Sequence, residues 1–274
     1  MSKVIVLQHV EAEGPGRIGT VFRDFGIPIE VRRLYRGDEV PTDLDEVRAL
    51  VVLGGPMGVA DLGKEQYPYL ATEVETLKRL IARDRAVLGI CLGAQLLAHA
   101  AGAKVYPNVK MAPPEKHGEA PKPVEPLIPL PEIGWAPVMF PFPGGTEPIA
   151  FGLSDGTEMF HWHFDTFDLP KLPSPPPVPG SPPPPTGSAL ISSTRICKNQ
   201  AFRFKNRLFG FQYHLEATPE IIEAMVASGK DDIARVLGPE GEDKIRQGTQ
   251  KHYPRYERLT NKVLQNFVQF LRVY

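Results

Sequence analysis

The sequence predicts an α/β fold: a doubly wound, mostly parallel open sheet flanked by helices. Three observations carry this. Short apolar, β-branched runs alternate with stretches of helical periodicity. Two of the runs end in glycine-rich turns, and in such sheets ligands lie at the carboxyl ends of the strands. One of those turns, Gly89-Ile90-Cys91-Leu92-Gly93, sets a nucleophile between a strand and a helix.

Taken in order, Lys3 to His9 (KVIVLQH) reads as a buried parallel strand. Arg17 to Phe25 reads as a helix, Ile29 to Leu34 as a second strand and Ala49 to Leu53 as a third, which runs into Gly54-Gly55-Pro56-Met57-Gly58. Tyr67 to Arg83 is an amphipathic helix with Leu70, Val74, Leu77, Leu80 and Ile81 on one face. Ala86 to Ile90 is the next strand, and Leu92, Gln95, Leu96 and His99 then recur at helical spacing. Pro107 to Pro131 reads as an irregular excursion. Leu169 to Gly187 (LPKLPSPPPVPGSPPPPTG) is a proline tract expected to form an exposed polyproline II spacer rather than an SH3 or WW ligand. Strands resume at Ala189 to Ser192, Gln200 to Lys205 and Leu208 to His214, with Lys205-Asn206-Arg207 as a hairpin turn. Thr218 suits an N-cap with Pro219 at the first helical position, and Leu259 to Val273 is an amphipathic C-terminal helix. Neither proline-rich excursion is a domain boundary, so a single domain over residues 1–274 is expected.

Composition narrows the function. A net charge of −1 over 274 residues argues for neither a nucleic-acid nor a membrane-surface partner. Two cysteines, far apart, fit a reducing compartment and give no thiolate metal site. The apolar run at the N-terminus is too short for a signal peptide, and no stretch has the length of a membrane span, so a soluble, cytoplasmic protein is expected.

The Gly-x-Cys-x-Gly spacing has a physical reason. Small neighbours let the chain fold back sharply, so that Cys91 projects outward from a strained turn. The helix that follows supplies free N–H groups and a positive dipole end, which favour the thiolate. The Leu92 N–H is placed for an oxyanion formed by attack from Cys91. The plainer reading is a buried core thiol, and partners elsewhere must decide. His214 and Glu216, two residues apart in Gln212-Tyr213-His214-Leu215-Glu216, would project to one side at a strand's end, as a base and its orienting carboxylate do. A surface His–Glu pair is the alternative. His161 and His163, with Asp165 nearby, hint at a metal, but no further ligand has suitable spacing, so no metal is expected. His99 and Cys197 read as packing residues, and Trp135 and Trp162 as core or pocket wall.

Together these motifs resemble the class I (triad-type) glutamine amidotransferases, and within them stand-alone members similar to the glutaminase part of GMP synthase. Gly89-Ile90-Cys91-Leu92-Gly93-Ala94-Gln95 is similar to the family's nucleophile motif, Gly54-Gly55-Pro56 to its oxyanion loop, and His214-Leu215-Glu216 to its His-x-Glu signature. Glu132-Ile133-Gly134-Trp135, His161-Trp162-His163 with Asp165-Thr166-Phe167, and Asn199-Gln200-Ala201-Phe202 also resemble stretches of those proteins. The resemblance implies that Cys91 attacks the γ-amide of glutamine, that His214 carries the proton and that Glu216 orients it. It implies that the N–H groups of Gly55 and Leu92 hold the oxyanion, and that Gly54, Gln95, His163 and Asp165 lie around the glutamyl group. No cofactor is implied. Three features depart from the pattern: leucine rather than proline within the His-x-Glu signature, Phe164 where many relatives have glycine, and the two proline-rich excursions, which look like insertions. There is neither a phosphate-cradling loop with its lysine nor an ATP-pyrophosphatase motif. The leading expectation is therefore a glutaminase that passes ammonia to a separate synthase. A γ-glutamyl hydrolase or peptidase with the same triad, and a silent regulatory protein of the same fold, are the alternatives; pocket width beside Phe164 is expected to separate the first two.

Overall fold

The computed structural model describes residues 3–113, 121–172 and 187–271. Five strands form the parallel body of the main sheet: β1 (Lys3–Gln8), β2 (Ile29–Arg33), β3 (Val47–Val52), β4 (Ala86–Ile90) and, late in the chain, β13 (Leu208–Phe211). Short side strands intervene: β5 (Val105–Pro107), β6 (Met111–Ala112), β7 (Lys122–Pro123), β8 (Glu132–Val138), β9 (Thr157–His163) and β10 (Asp165–Phe167). Strands β11 (Ser188–Ser192) and β12 (Ala201–Phe204) then join the main sheet antiparallel beside β13. The order across the seven strands is β11-β12-β13-β4-β3-β1-β2. This is the mostly parallel, doubly wound sheet read from the sequence.

Alternation along the strands builds a core on each face. Val4, Val6, Leu88 and Ile90 point to one core, and Ile5, Leu7, Val87 and Val52 to the other. Helices α1 (Gly16–Asp24) and α6 (Gly241–Leu271) cover the first face through Phe22 and Phe267, whose rings stack at 6.3 Å. Helices α2 (Tyr69–Ala82) and α3 (Leu92–Ala100) cover the second. Helices α4 (Pro219–Ser228) and α5 (Lys230–Leu237) complete the C-terminal set.

Three expectations need correction, and a fourth lies outside the described residues. The excursion over 107–131 is not wholly irregular, because β6 pairs with β7 and Val109 bridges to Pro129. The proline tract lies outside the described residues except at its ends. The last sheet strand stops at Phe211, so His214 and Glu216 stand beyond it rather than on it. The C-terminal helix begins at Gly241, not Leu259, and runs through Pro254. Pro254 is exposed, so the Gln250 carbonyl left without its N–H partner sits on the solvent side of the helix, where water can satisfy it. Thr218 does cap α4, accepting the Ile221 N–H at 3.3 Å, and Pro219 is its first residue.

Candidate active site

Cys91 caps α3 with φ 49° and ψ −109°, a left-handed conformation rare for a residue with a side chain. The two flanking glycines make this turn possible. A Cβ on Gly89 would come within 2.4 Å of the Gly93 carbonyl oxygen, and one on Gly93 within 2.0 Å of the Val52 oxygen. No other residue fits either position without moving the backbone. The Cys91 N–H donates to the Phe211 carbonyl at 2.8 Å, which ties the turn to the end of β13. The thiol is nearly buried and donates to the Trp162 carbonyl at 3.4 Å. Leu92 is the first helical residue, so its N–H has no acceptor within the helix.

The glycine loop after β3 packs against this turn. Space at Gly55 is bounded by Leu92 Cδ2 at 3.4 Å and His9 Cβ at 3.0 Å. Gly54 is enclosed more tightly: a Cβ there would lie 2.1 Å from Glu13 Oε2 and 3.2 Å from His214 Cε1.

His214 and Glu216 are both fully buried, and the imidazole Nδ1 lies 2.6 Å from Glu216 Oε1. The pairing read from their spacing therefore holds even though no strand carries them. The backbone fixes them instead. The His214 N–H donates to the Phe160 carbonyl at 2.9 Å, and the Tyr256 hydroxyl of α6 donates to the His214 carbonyl at 2.8 Å. The Glu216 carbonyl accepts the Arg17 N–H at 2.9 Å at the start of α1, where a Cβ on Gly16 would lie 2.0 Å from that oxygen. His214 Nε2 is buried with no hydrogen-bond partner among the described residues. Burial opposes charge on this ring, but the Glu216 carboxylate and the nearby Cys91 sulfur outweigh it and raise its pKa well above the ordinary histidine value.

Cys91 lies between two cavities. The smaller, of about 180 Å³, is lined by Gln95, His163, Phe164 and Asp165. The larger, of about 390 Å³, opens on the other side and is lined by Glu11, Glu13, Met225 and Ser228. Gly55, Pro56 and Trp162 border both. Gln95 Nε2 donates to Gln212 Oε1 at 3.2 Å, and Gln212 Nε2 in turn reaches Cys91 Sγ at 3.6 Å. Phe164 borders the small cavity with the Arg235 guanidinium over its ring, so it cannot set the width of the larger one. Burial raises the Asp165 pKa above the usual carboxylate value.

Sequence reasoning missed three residues. His9 is fully buried, with Nδ1 2.9 Å from the Gly54 carbonyl and Nε2 3.0 Å from Glu73 Oε1. Burial disfavours its charge, but Glu73 and the Gly54 carbonyl raise its pKa overall. Glu73 comes from α2, and Glu13 from the loop after β1. Burial raises the Glu13 pKa, opposed by His214. Only their position near the carboxyl end of β1, beside the glycine loop and the Cys91 turn, could have marked His9 and Glu13 in advance.

Strands β8 and β9 bring Glu132 beside His161 and His163, a carboxylate the spacing did not reveal; the three ligand atoms lie within 4.8 Å of one another, so the set could hold a metal ion. His163 Nε2 lies 3.1 Å from Glu132 Oε2, and Gln200 Nε2 donates to the same oxygen. The charge on Glu132 is thus held by protein donors. Burial would raise its pKa, yet its histidine partners bring it below the usual carboxylate range. Burial drives His161 down to about 4, so that ring is neutral. Cys197 is buried with its thiol pushed up to about 12, a packing residue in contact with Thr166.

The sheet, the strained cysteine turn and the buried histidine–carboxylate pair together describe one family. Residues 17–228 match the class-I glutamine amidotransferases, and the chain belongs to that family. The glutamine amidotransferase-like protein YfeJ of Salmonella typhimurium is 27% identical over 238 residues, covering 86% of this chain and 84% of that one. A GMP synthase of Porphyromonas gingivalis is 27% identical over 184 residues, which is 67% of this chain but 28% of the synthase. Among solved structures, a glutamine amidotransferase from Methylobacillus flagellatus superposes with a TM-score of 0.77 at 24% identity, covering 100% of this chain and 97% of that one. One from Thermotoga maritima gives 0.72 at 24% identity, covering 98% of each. Both share the fold. Among the described residues no helix is long and apolar enough to cross a membrane.

Proposed function

We propose that the chain is a glutaminase-type amidotransferase in which Cys91 attacks a γ-glutamyl amide. The observation that carries this reading is the state of His214: one nitrogen is held by Glu216, and the other is buried near the Cys91 sulfur, with no hydrogen-bond partner among the described residues. The proton passes from the Cys91 thiol to His214 Nε2, and the thiolate adds to the γ-carbonyl. The N–H groups of Gly55 and Leu92 receive the oxyanion. Collapse breaks the C–N bond, and the amine leaves with the proton from His214. Water then adds to the γ-glutamyl thioester, gives a proton to His214, and glutamate departs as the thiol is restored.

The glutamyl group occupies the small cavity, with Gln95, His163 and Asp165 around it, whereas Gly54 lies outside its lining, buried against Glu13 and His214. With glutamine as donor the products are glutamate and ammonia. Ammonia goes to a separate synthase, in keeping with the likeness to the glutaminase region of GMP synthase. The test is ammonia release from glutamine by wild type and by Cys91→Ala, with and without candidate synthases. Loss of turnover by a factor on the order of 10⁴ or more in the variant is expected. Turnover retained by Cys91→Ala would remove the cysteine from the mechanism.

A further inference from the structure

We infer that the larger cavity beside Cys91 is a leaving-group subsite for cationic amines, with the Glu13 carboxylate as the residue that selects them. This rests on the acyl-transfer reading above and names the class of γ-glutamyl amide the site takes. The substrates are γ-glutamyl amides of diamines, whose leaving group fills the cavity; glutamine, the amide of ammonia, leaves it empty.

The side of the cavity decides its occupant. The acyl part of the substrate sits among Gln95, His163 and Asp165, and the sulfur lies where the two cavities meet. The leaving nitrogen must take its proton from His214, so it departs on the side where His214 stands. Glu13 is on that side: its Oε2 and His214 Cε1 both crowd the same face of Gly54. Ammonia needs no more room than a water molecule, about 30 Å³. The cavity measures about 390 Å³, within the ~300–1,000 Å³ range of small-molecule sites.

Charge sets the class. Glu13 is 9% exposed, borders the cavity and makes no hydrogen bond among the described residues. Among its charged neighbours, His214 and His9 oppose the effect of burial, and a carboxyl held there without a hydrogen-bond donor is costly unless one arrives with the ligand. The walls include a second carboxylate, Glu11, which pairs at the surface with Arg36 at 2.6 Å, and neither lysine nor arginine. Trp162 adds an aromatic wall, seated so closely against Gly229 that a Cβ there would lie 2.2 Å from its ring. A carboxylate and an indole favour an ammonium group and disfavour an anion.

In the step itself, the amide R–NH–CO–R′ loses its C–N bond, R–NH₂ takes the proton from His214, and the acyl group stays on sulfur. The distal ammonium of R is held by Glu13 throughout and changes no bond.

The test compares glutamate release from glutamine and from the γ-glutamyl amides of putrescine, pentylamine and β-alanine, whose leaving groups are cationic, neutral and anionic. Full-length wild type should prefer the putrescine amide over the pentylamine amide in kcat/KM by about tenfold or more. The β-alanine amide should be slowest. Glu13→Gln, which keeps shape, should bring the putrescine-to-pentylamine ratio to within about threefold of unity. A wild-type ratio at or below unity, or a ratio unchanged in Glu13→Gln, overturns the assignment. Turnover of glutamine with none of the three amides overturns it while leaving the acyl-transfer reading standing. Failure of every substrate to acylate Cys91 overturns both.

Discussion

Two buried histidine–carboxylate pairs stand on either side of Gly54, and they differ in one atom's fate. His9 has both ring nitrogens occupied, one by the Gly54 carbonyl and one by Glu73. His214 has Nδ1 on Glu216 and Nε2 without a hydrogen-bond partner among the described residues. Both sit at 0% exposure with carboxylates equally buried, and both have pKa values raised by those carboxylates against the cost of burial. The chemistry of the pair is therefore the same, and what separates a pin from a proton carrier is the second nitrogen. His9 can only hold the glycine loop in place, whereas His214 has a lone pair or proton to exchange.

Substitutions at the two carboxylates should separate these roles. Glu216→Gln should lower kcat/KM by roughly 10²–10⁴, because the ring loses both its orientation and the charge that stabilises the imidazolium. The pKa of His214 should fall, so the acid limb of the kcat/KM profile, set by the ring that must be free to take the thiol proton, should move to lower pH. A pH–rate profile checks the direction, and an unmoved limb would break the contrast. Glu73→Gln should act on stability first, at about 3–5 kcal/mol, since it strips a buried imidazolium of its counter-charge. The raised His9 pKa fixes the pH dependence. Its stabilisation is complete below the unfolded value of about 6.5 and fades as pH rises through the higher native value. The deficit of Glu73→Gln in urea unfolding should thus be larger at about pH 6 than at about pH 9. A deficit that grew with pH would contradict the pairing. The smallest effect is expected at Thr218→Ala, two residues beyond Glu216. Loss of its cap on α4 should cost about 1 kcal/mol, read in the same unfolding assay, and leave the pH–rate profile in place.

The same contrast shows what the sequence could reveal. The Cys91 turn is encoded locally, since Gly89 and Gly93 flank the residue they release and a five-residue pattern holds the whole argument. The His214–Glu216 pair was legible for a similar reason, although the strand assumed to carry it ends at Phe211. His9, Glu73 and Glu13 were not legible. Their meaning depends on β1, α2 and the loop after β3 meeting in space, and nothing near any one of them in the chain points to the others. Glu132 belonged to a family-like stretch, but its pairing with the histidines was not legible, because only the pairing of β8 with β9 sets it opposite His163. The C-terminal helix was placed too late because only its amphipathic end, from Leu259, was read, whereas the helix starts at Gly241 and passes through Pro254. The solvent-side position of that proline, which makes it tolerable, depends on how α6 lies against the sheet. Phe164 borders only the smaller of the two cavities at Cys91, so in the proposed assignment it faces the glutamyl group rather than the leaving group.

The central claim is that Cys91 is the atom that takes the γ-glutamyl group and that His214, not His9, activates it. It is tested most directly by exposing the protein to a γ-glutamyl chloroketone, then measuring intact mass and mapping the modified peptide. One adduct is expected, on Cys91, formed at a normal rate in Glu73→Gln and much more slowly in His214→Gln. An adduct on any other residue, or one whose rate is indifferent to His214, would contradict the account.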